Sequence, residues 1–162
     1  MQLMVRYLQF IIICALFCSC TQNETNDILS KAERCMEAYP DSALSLLNQI
    51  PHPDRLYGKQ CADYALLLTQ ARDKNYLDSL QSDSLIKLAV DYYQESDDNV
   101  KAGKALLYYG KMLALQGNDT IAMQVYLDAQ TKLEKTKEYK MQAMLQEYIG
   151  RLNDDRGMYD EA

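Results

Sequence analysis

The chain has 162 residues, 48% of them apolar and 25% charged, a balance that suits one domain or one short stack of repeats and is neither disordered nor coiled-coil extreme. A net charge of −6 and a pI near 4.8 argue against a backbone-driven nucleic-acid binder, whose affinity comes from many Lys and Arg displacing counterions from phosphates, so no nucleic acid is expected as a partner. With only three prolines and six glycines, propensity favours helices almost everywhere and nothing reads as a sheet.

Arg6 is the first charge, and it precedes a short apolar run, Tyr7 to Phe17, that ends in Cys18-Ser19-Cys20. This is a positive n-region, an h-region and a small-residue processing site. The run is shorter than the roughly 20 apolar residues that cross a bilayer comfortably. Phe17-Cys18-Ser19-Cys20 resembles the bacterial lipobox, with Phe17 standing where an aliphatic residue is usual. The resemblance implies a signal peptide over 1–19, cleavage before Cys20, and lipidation of Cys20 with palmitate-type chains that tie the protein to a membrane; a simple cleaved signal and an uncleaved anchor are the alternatives. Thr21 rather than Asp follows the cysteine, which by the sorting rules of such lipoproteins implies the outer membrane of the envelope, with its face left open. Cys35 and Cys61 then remain, either paired in an oxidising compartment or serving as small buried hydrophobes.

Residues 20–27 read as a polar tether. From Ile28 to Met36 apolar residues recur three and four apart, as an amphipathic helix requires, and Tyr39-Pro40 ends that helix. Asp41 is expected to cap a second helix through Ile50. Pro51-His52-Pro53 breaks the chain, and further helices are expected at about 55–74, 83–95, 99–116, 119–135 and 137–155, with Asp83 and Asp119 as caps of the same chemistry as Asp41. That makes seven antiparallel helices in hairpins.

The stronger signal is self-similarity at forty residues. Ala105-Leu106-Leu107-Tyr108-Tyr109-Gly110 is matched by Leu145 to Gly150 and by Ala65 to Gln70, and the same offset relates Gly117 to Gly157 and Ala122 to Ala162. Gly110, Gly117, Ala122, Tyr126 and Ala129 stand where the tetratricopeptide pattern has its helix A glycine, turn glycine, helix B alanine, an aromatic and a second alanine. A small residue at Gly110 or Gly150 lets helices approach closely, and Gly117 or Gly157 permits a left-handed turn. The chain departs from that family at Leu106 and Glu134, and in its longer spacing. Pro40-Asp41-Ser42-Ala43-Leu44 and Tyr64 to Ala71 add a resemblance to the N-terminal part of tetratricopeptide lipoproteins of the Bacteroides group. The resemblance implies an all-α fold over 28–162, with helix hairpins stacked as a right-handed solenoid.

Gly157 to Ala162 reads as the turn and first residues of another helix. The last full helix then carries a half-covered stripe of Met141, Met144, Leu145, Tyr148, Ile149 and Leu152, which would invite self-association. Two readings stand open: a fragment of a longer chain, or a terminal cap.

For chemistry the sequence offers His52 in a turn between prolines, and no metal-ligand, phosphate-loop or CxxC pattern; no catalysis, cofactor or metal is expected. Asp97-Asp98 and Asp154-Asp155 read as solvated helix ends. Beyond Cys20 the chain has twelve tyrosines and neither Phe nor Trp, so Tyr92-Tyr93 and Tyr108-Tyr109 are each expected to divide between core and surface. The tetratricopeptide resemblance implies a concave groove from helix A residues: Lys104, Leu107, Lys111, Ala114 and Leu115, then Met144, Glu147, Arg151, Asp154 and Asp155. The expected function is a lipid-anchored scaffold holding a protein or peptide partner in that groove. The alternative is the sensory repeat region of a longer envelope regulator.

Overall fold

A computed structural model of the protein describes residues 24–77 and 83–160, the last six of these as backbone. These residues form seven helices and no strand: α1 (24–35), α2 (Pro40–Leu47), α3 (Gly58–Lys74), α4 (Asp83–Tyr93), α5 (Asn99–Leu115), α6 (Asp119–Leu133) and α7 (Tyr139–Asp160), with a 3-10 turn at Pro53–Arg55. Cys20 and the segment before it lie outside the described residues. Residues 24–27, expected as tether, are already helical, because Thr25 is buried and Asn26 accepts a hydrogen bond from the side-chain amide of Gln60 at 2.9 Å.

Consecutive helices pack on one another from α2 to α7, and α3 also touches α5, as α5 touches α7. Two ion pairs fix the sense of that second relation. Asp63 and Asp73 on α3 meet Lys101 and Lys111 on α5, so the same sequence separation holds ten residues apart on both helices. Only helices running in the same direction keep a constant separation, so α4 must return the chain between α3 and α5. The starts of α3, α5 and α7 fall close to the forty-residue period of the sequence.

The core has two connected parts that meet at α3. Leu29, Ala32 and Met36 of α1 and its end pack with Ala43 and Leu47 of α2 and with Leu67, Leu68 and Ala71 of α3. On its other side α3 turns Ala62, Ala65 and Leu66 to a larger cluster that runs through α4 to α7. A helix buried on two sides is apolar around most of its girth, and α3 accordingly buries nine residues, among them an unbroken run from Ala65 to Ala71.

α5 and α6 meet most extensively, and small residues set their approach. A Cβ at Gly110 would stand 2.5 Å from Cε1 of Tyr126, and one at Gly103 would stand 2.5 Å from Cγ of Leu133. Ala122 and Ala129 are fully buried along the same seam, with Tyr126 at 2% exposure. Gly150, the sequence counterpart of Gly110, faces open space, since no further helix lies against it among the described residues.

The helix ends refine the expected caps. α2 begins with Pro40 at its first position, so Asp41 lies inside the first turn and Tyr39 is the cap residue, without a side-chain cap bond. α6 likewise starts after Asn118, with Asp119 in its first turn. These carboxylates still favour the helix starts through the positive end of the helix dipole. Asp98 is a true cap, its carboxylate accepting from the backbone N–H of Lys101 at 3.0 Å. At the other end, α3 and α5 close in the same way. The N–H of Leu77 bonds the carbonyl of Arg72 and that of Asn118 bonds Leu113, both at 2.9 Å, with Tyr76 (φ 59°) and Gly117 (φ 76°) in the left-handed position. The two helices therefore share a closing turn that Tyr76 hides in the sequence. Gly157 does not repeat it: α7 runs through that position to Asp160, so the expected turn is absent.

Candidate functional site

The helix faces that were expected to form a groove come together between α5 and α7, in two separate cavities. The first, of about 330 Å³, is lined by Glu37, Gln70, Lys74, Lys104, Leu107, Tyr108, Glu138, Lys140, Met141 and Met144. The second, of about 230 Å³, is lined by Lys111, Ala114, Leu115, Asp119, Tyr126, Tyr148, Arg151 and Leu152. Lys104, Leu107 and Met144 thus fall in one, and Lys111, Ala114, Leu115 and Arg151 in the other. Glu147 lines neither; it pairs with Arg151 at 2.6 Å on the exposed side of α7.

The lysines divide by their partners. Lys111 is ion-paired with Asp73 and only 21% exposed in its side chain, so its charge is spent on joining α5 to α3 rather than offered to a ligand. Lys104 is different. It is half-buried on α5, and no hydrogen bond or ion pair reaches its ammonium among the described residues. Burial pushes the Lys104 ammonium below the usual lysine range, against the pull of the carboxylates of Glu33, Glu138 and Glu37.

Beside it, Glu37 gathers three donors. Lys74 approaches its carboxylate at 3.2 Å, the side-chain amide of Gln70 donates to it at 3.2 Å, and Lys140 donates from the start of α7. Burial raises the Glu37 carboxyl, but bonds from Lys140 and Lys74 outweigh it and leave the group below the ordinary range. Gln70 is 2% exposed, and its carbonyl oxygen has no hydrogen-bond partner. The chain after α1 is thereby tied to both α3 and α7 across this face. None of Glu37, Gln70, Lys74, Glu138 or Lys140 was singled out by the sequence, because they come from three separate segments and follow no local pattern.

A second polar centre lies at the start of α3. Asp63, 8% exposed, accepts from Lys59 and Lys101 at 2.5 Å each and from the hydroxyl of Tyr93, while Glu33 of α1 stands 3.7 Å from Lys101. Burial raises the Asp63 carboxyl, and the bonds from Lys101, Lys59 and Tyr93 more than reverse that, holding it below the usual carboxylate range. Tyr93 is pushed well above the ordinary tyrosine range by burial and by Asp63. Every group here has a partner, so this centre joins α1, α3, α4 and α5 and leaves nothing for a ligand.

The tyrosines divide as expected. Tyr93 and Tyr108 are buried, whereas Tyr92 is 39% exposed and Tyr109 half-buried. His52 is exposed, with φ 50° in the left-handed region. Cys35 and Cys61 are free thiols, both half-buried. The stripe of α7 is better covered than expected: Leu145 and Leu152 are buried, and Met141, Met144, Tyr148 and Ile149 pack against the larger cluster. Among the described residues no helix is long and apolar enough to cross a membrane, and no His, Cys, Asp and Glu cluster suits a metal ion.

These observations define the class as an all-helical protein of sequentially packed helices. Comparison with family models, with curated proteins and with solved structures returns no match, so geometry and sequence pattern alone carry the functional reading.

Proposed function

We propose that the protein is a lipid-anchored, helical-repeat scaffold of the bacterial envelope that docks a protein or peptide on the α5–α7 face and performs no catalysis. In this reading the helix hairpins form a right-handed, tetratricopeptide-like solenoid and Cys20 carries the acyl chains. The carrying observation is the meeting of Ala114, Leu115 and Arg151 around one open cavity, with Leu115 left 60% exposed at its rim. An apolar side chain left exposed at the rim of a cavity is a surface suited to a partner. The match of α3 and α5 in direction, closing turn and period supports the repeat reading, as does the position of Gly110 against Tyr126.

Two measurements test it. Labelled palmitate should enter the protein in cells and be lost in Cys20→Ala; label retained by that variant removes the anchor. Proteins co-purified from intact envelopes should be lost in Leu115→Asp and kept in Leu127→Asp, which changes a 44% exposed residue on α6. Equal recovery with both variants removes the docking face.

A further inference from the structure

The α5–α7 cavity around Lys104 differs in kind from the open one beside Leu115. Three donors of its wall are already satisfied, since Lys74, Lys140 and the side-chain N–H of Gln70 all converge on Glu37, while the carbonyl oxygen of Gln70 has no partner. Two charged groups lack one as well. Lys104 on α5 and Glu138, half-buried just before α7, have no hydrogen bond or ion pair to their side chains among the described residues, and both line the cavity. Of the carboxylates whose charge acts on Lys104, Glu33 does so most, then Glu138 and Glu37; Glu138 and Glu37 line the cavity, and no carboxylate stands within ion-pair distance of Lys104 among the described residues. Leu107, Met141 and Met144 supply an apolar wall beside them.

The signs of these groups select the ligand. Because Glu37 is neutralised by Lys74 and Lys140, the uncompensated charges are Lys104 and Glu138. A plain anion drawn to Lys104 would also face Glu138, and a plain cation drawn to Glu138 would face Lys104. A molecule carrying both charges a few bonds apart meets Lys104 with one and Glu138 with the other, and loses neither ion's partner on leaving water. Size narrows it further, because about 330 Å³ is at the lower end of ligand cavities and suits a small molecule rather than a run of peptide.

We propose that this cavity is a binding site for a free α-amino acid with an aliphatic or thioether side chain. Its carboxylate accepts from the Lys104 ammonium, its ammonium donates to the Glu138 carboxylate, and its side chain lies against Leu107, Met141 and Met144. Methionines suit such a wall because their unbranched side chains adapt to differing shapes. The proposal goes beyond partner docking and does not depend on it: a protein held at Leu115 touches a different cavity.

The test is calorimetric titration of the purified protein with L-leucine and L-methionine, set beside N-acetyl-L-leucine, which lacks the ammonium, and L-leucinamide, which lacks the carboxylate. The two free amino acids should bind, and each blocked compound should bind about tenfold to a hundredfold more weakly, as expected for a lost bond to a charged group. Lys104→Met and Glu138→Gln should weaken L-leucine by a similar factor, with circular dichroism confirming that each variant is folded. The blocked compounds probe the unaltered chain, so a variant that fails to fold leaves the decision intact. No binding of either amino acid overturns the proposal. Equal binding of N-acetyl-L-leucine overturns it in favour of a simple carboxylate site, and equal binding of all four compounds in favour of an unselective apolar pocket. Partner recovery at Leu115 is read separately and is indifferent to these outcomes.

Discussion

Gly110 and Gly150 are equivalents in the sequence but opposites in the structure, and substituting alanine at each separates the two views. At Gly110 the added methyl would stand 2.5 and 2.6 Å from Cε1 and Cδ1 of Tyr126. Those atoms belong to a rigid ring that is 2% exposed, so the ring or the α5–α6 spacing must move. Overpacking of this kind costs about 1–3 kcal/mol, while replacing a mid-helix glycine by alanine returns about 1 kcal/mol of helix propensity. A net loss of about 1 kcal/mol, and at most about 2, is expected. At Gly150 nothing lies within 4 Å of the added methyl, so only the propensity gain remains and Gly150→Ala should stabilise by about 0.5–1 kcal/mol. Urea unfolding reads both, as midpoint shifts of opposite sign at unchanged slope. A gain at Gly110→Ala as large as that at Gly150→Ala, or a loss at Gly150→Ala, would show that Tyr126 does not limit the approach of the helices.

Asp63→Ala leaves the Tyr93 hydroxyl and the Lys101 ammonium without their acceptor and should cost about 2–3 kcal/mol by urea unfolding. Because the folded Asp63 carboxyl titrates below its unfolded value, its contribution is complete above about pH 4 and is lost as pH falls through the folded value. The gap between the parent and Asp63→Asn should therefore narrow in acid; a gap that widens there contradicts the assignment. Tyr76→Gly should stabilise by about 0.5 kcal/mol, the relief of a left-handed tyrosine less the entropy glycine adds to the unfolded chain, and a loss of stability would count against the shared closing turn of α3 and α5. Lys140→Ala should change stability by less than about 0.5 kcal/mol, because that side chain is 73% exposed and its pair with Glu37 is well solvated.

Much of the fold is legible in the sequence because it rests on local chemistry. The break at Tyr39-Pro40 separates α1 from α2, the left-handed Gly117 closes α5, and the forty-residue period tracks the starts of α3, α5 and α7. The errors arise where tertiary context decides. Gly157 looks like Gly117, but nothing in a single residue says whether the helix before it stops, and α7 continues. Gly103 escaped notice because its reason, Leu133, lies thirty residues away on α6. The site was half legible. The tetratricopeptide resemblance picks out Lys104, Leu107, Lys111 and Leu115, but it cannot show that Asp73 neutralises Lys111 while Lys104 is left unpaired. Nor does it show that Glu37 and Glu138, from distant segments, complete the charge pattern around Lys104.

The most direct test of the docking face is photo-crosslinking in intact envelopes from a reactive amino acid placed at Leu115, with the same group at Leu127 on α6 as comparison. A discrete protein adduct is expected from Leu115 and none from Leu127. Adducts of equal yield from both positions, or from Leu127 alone, would contradict the docking face.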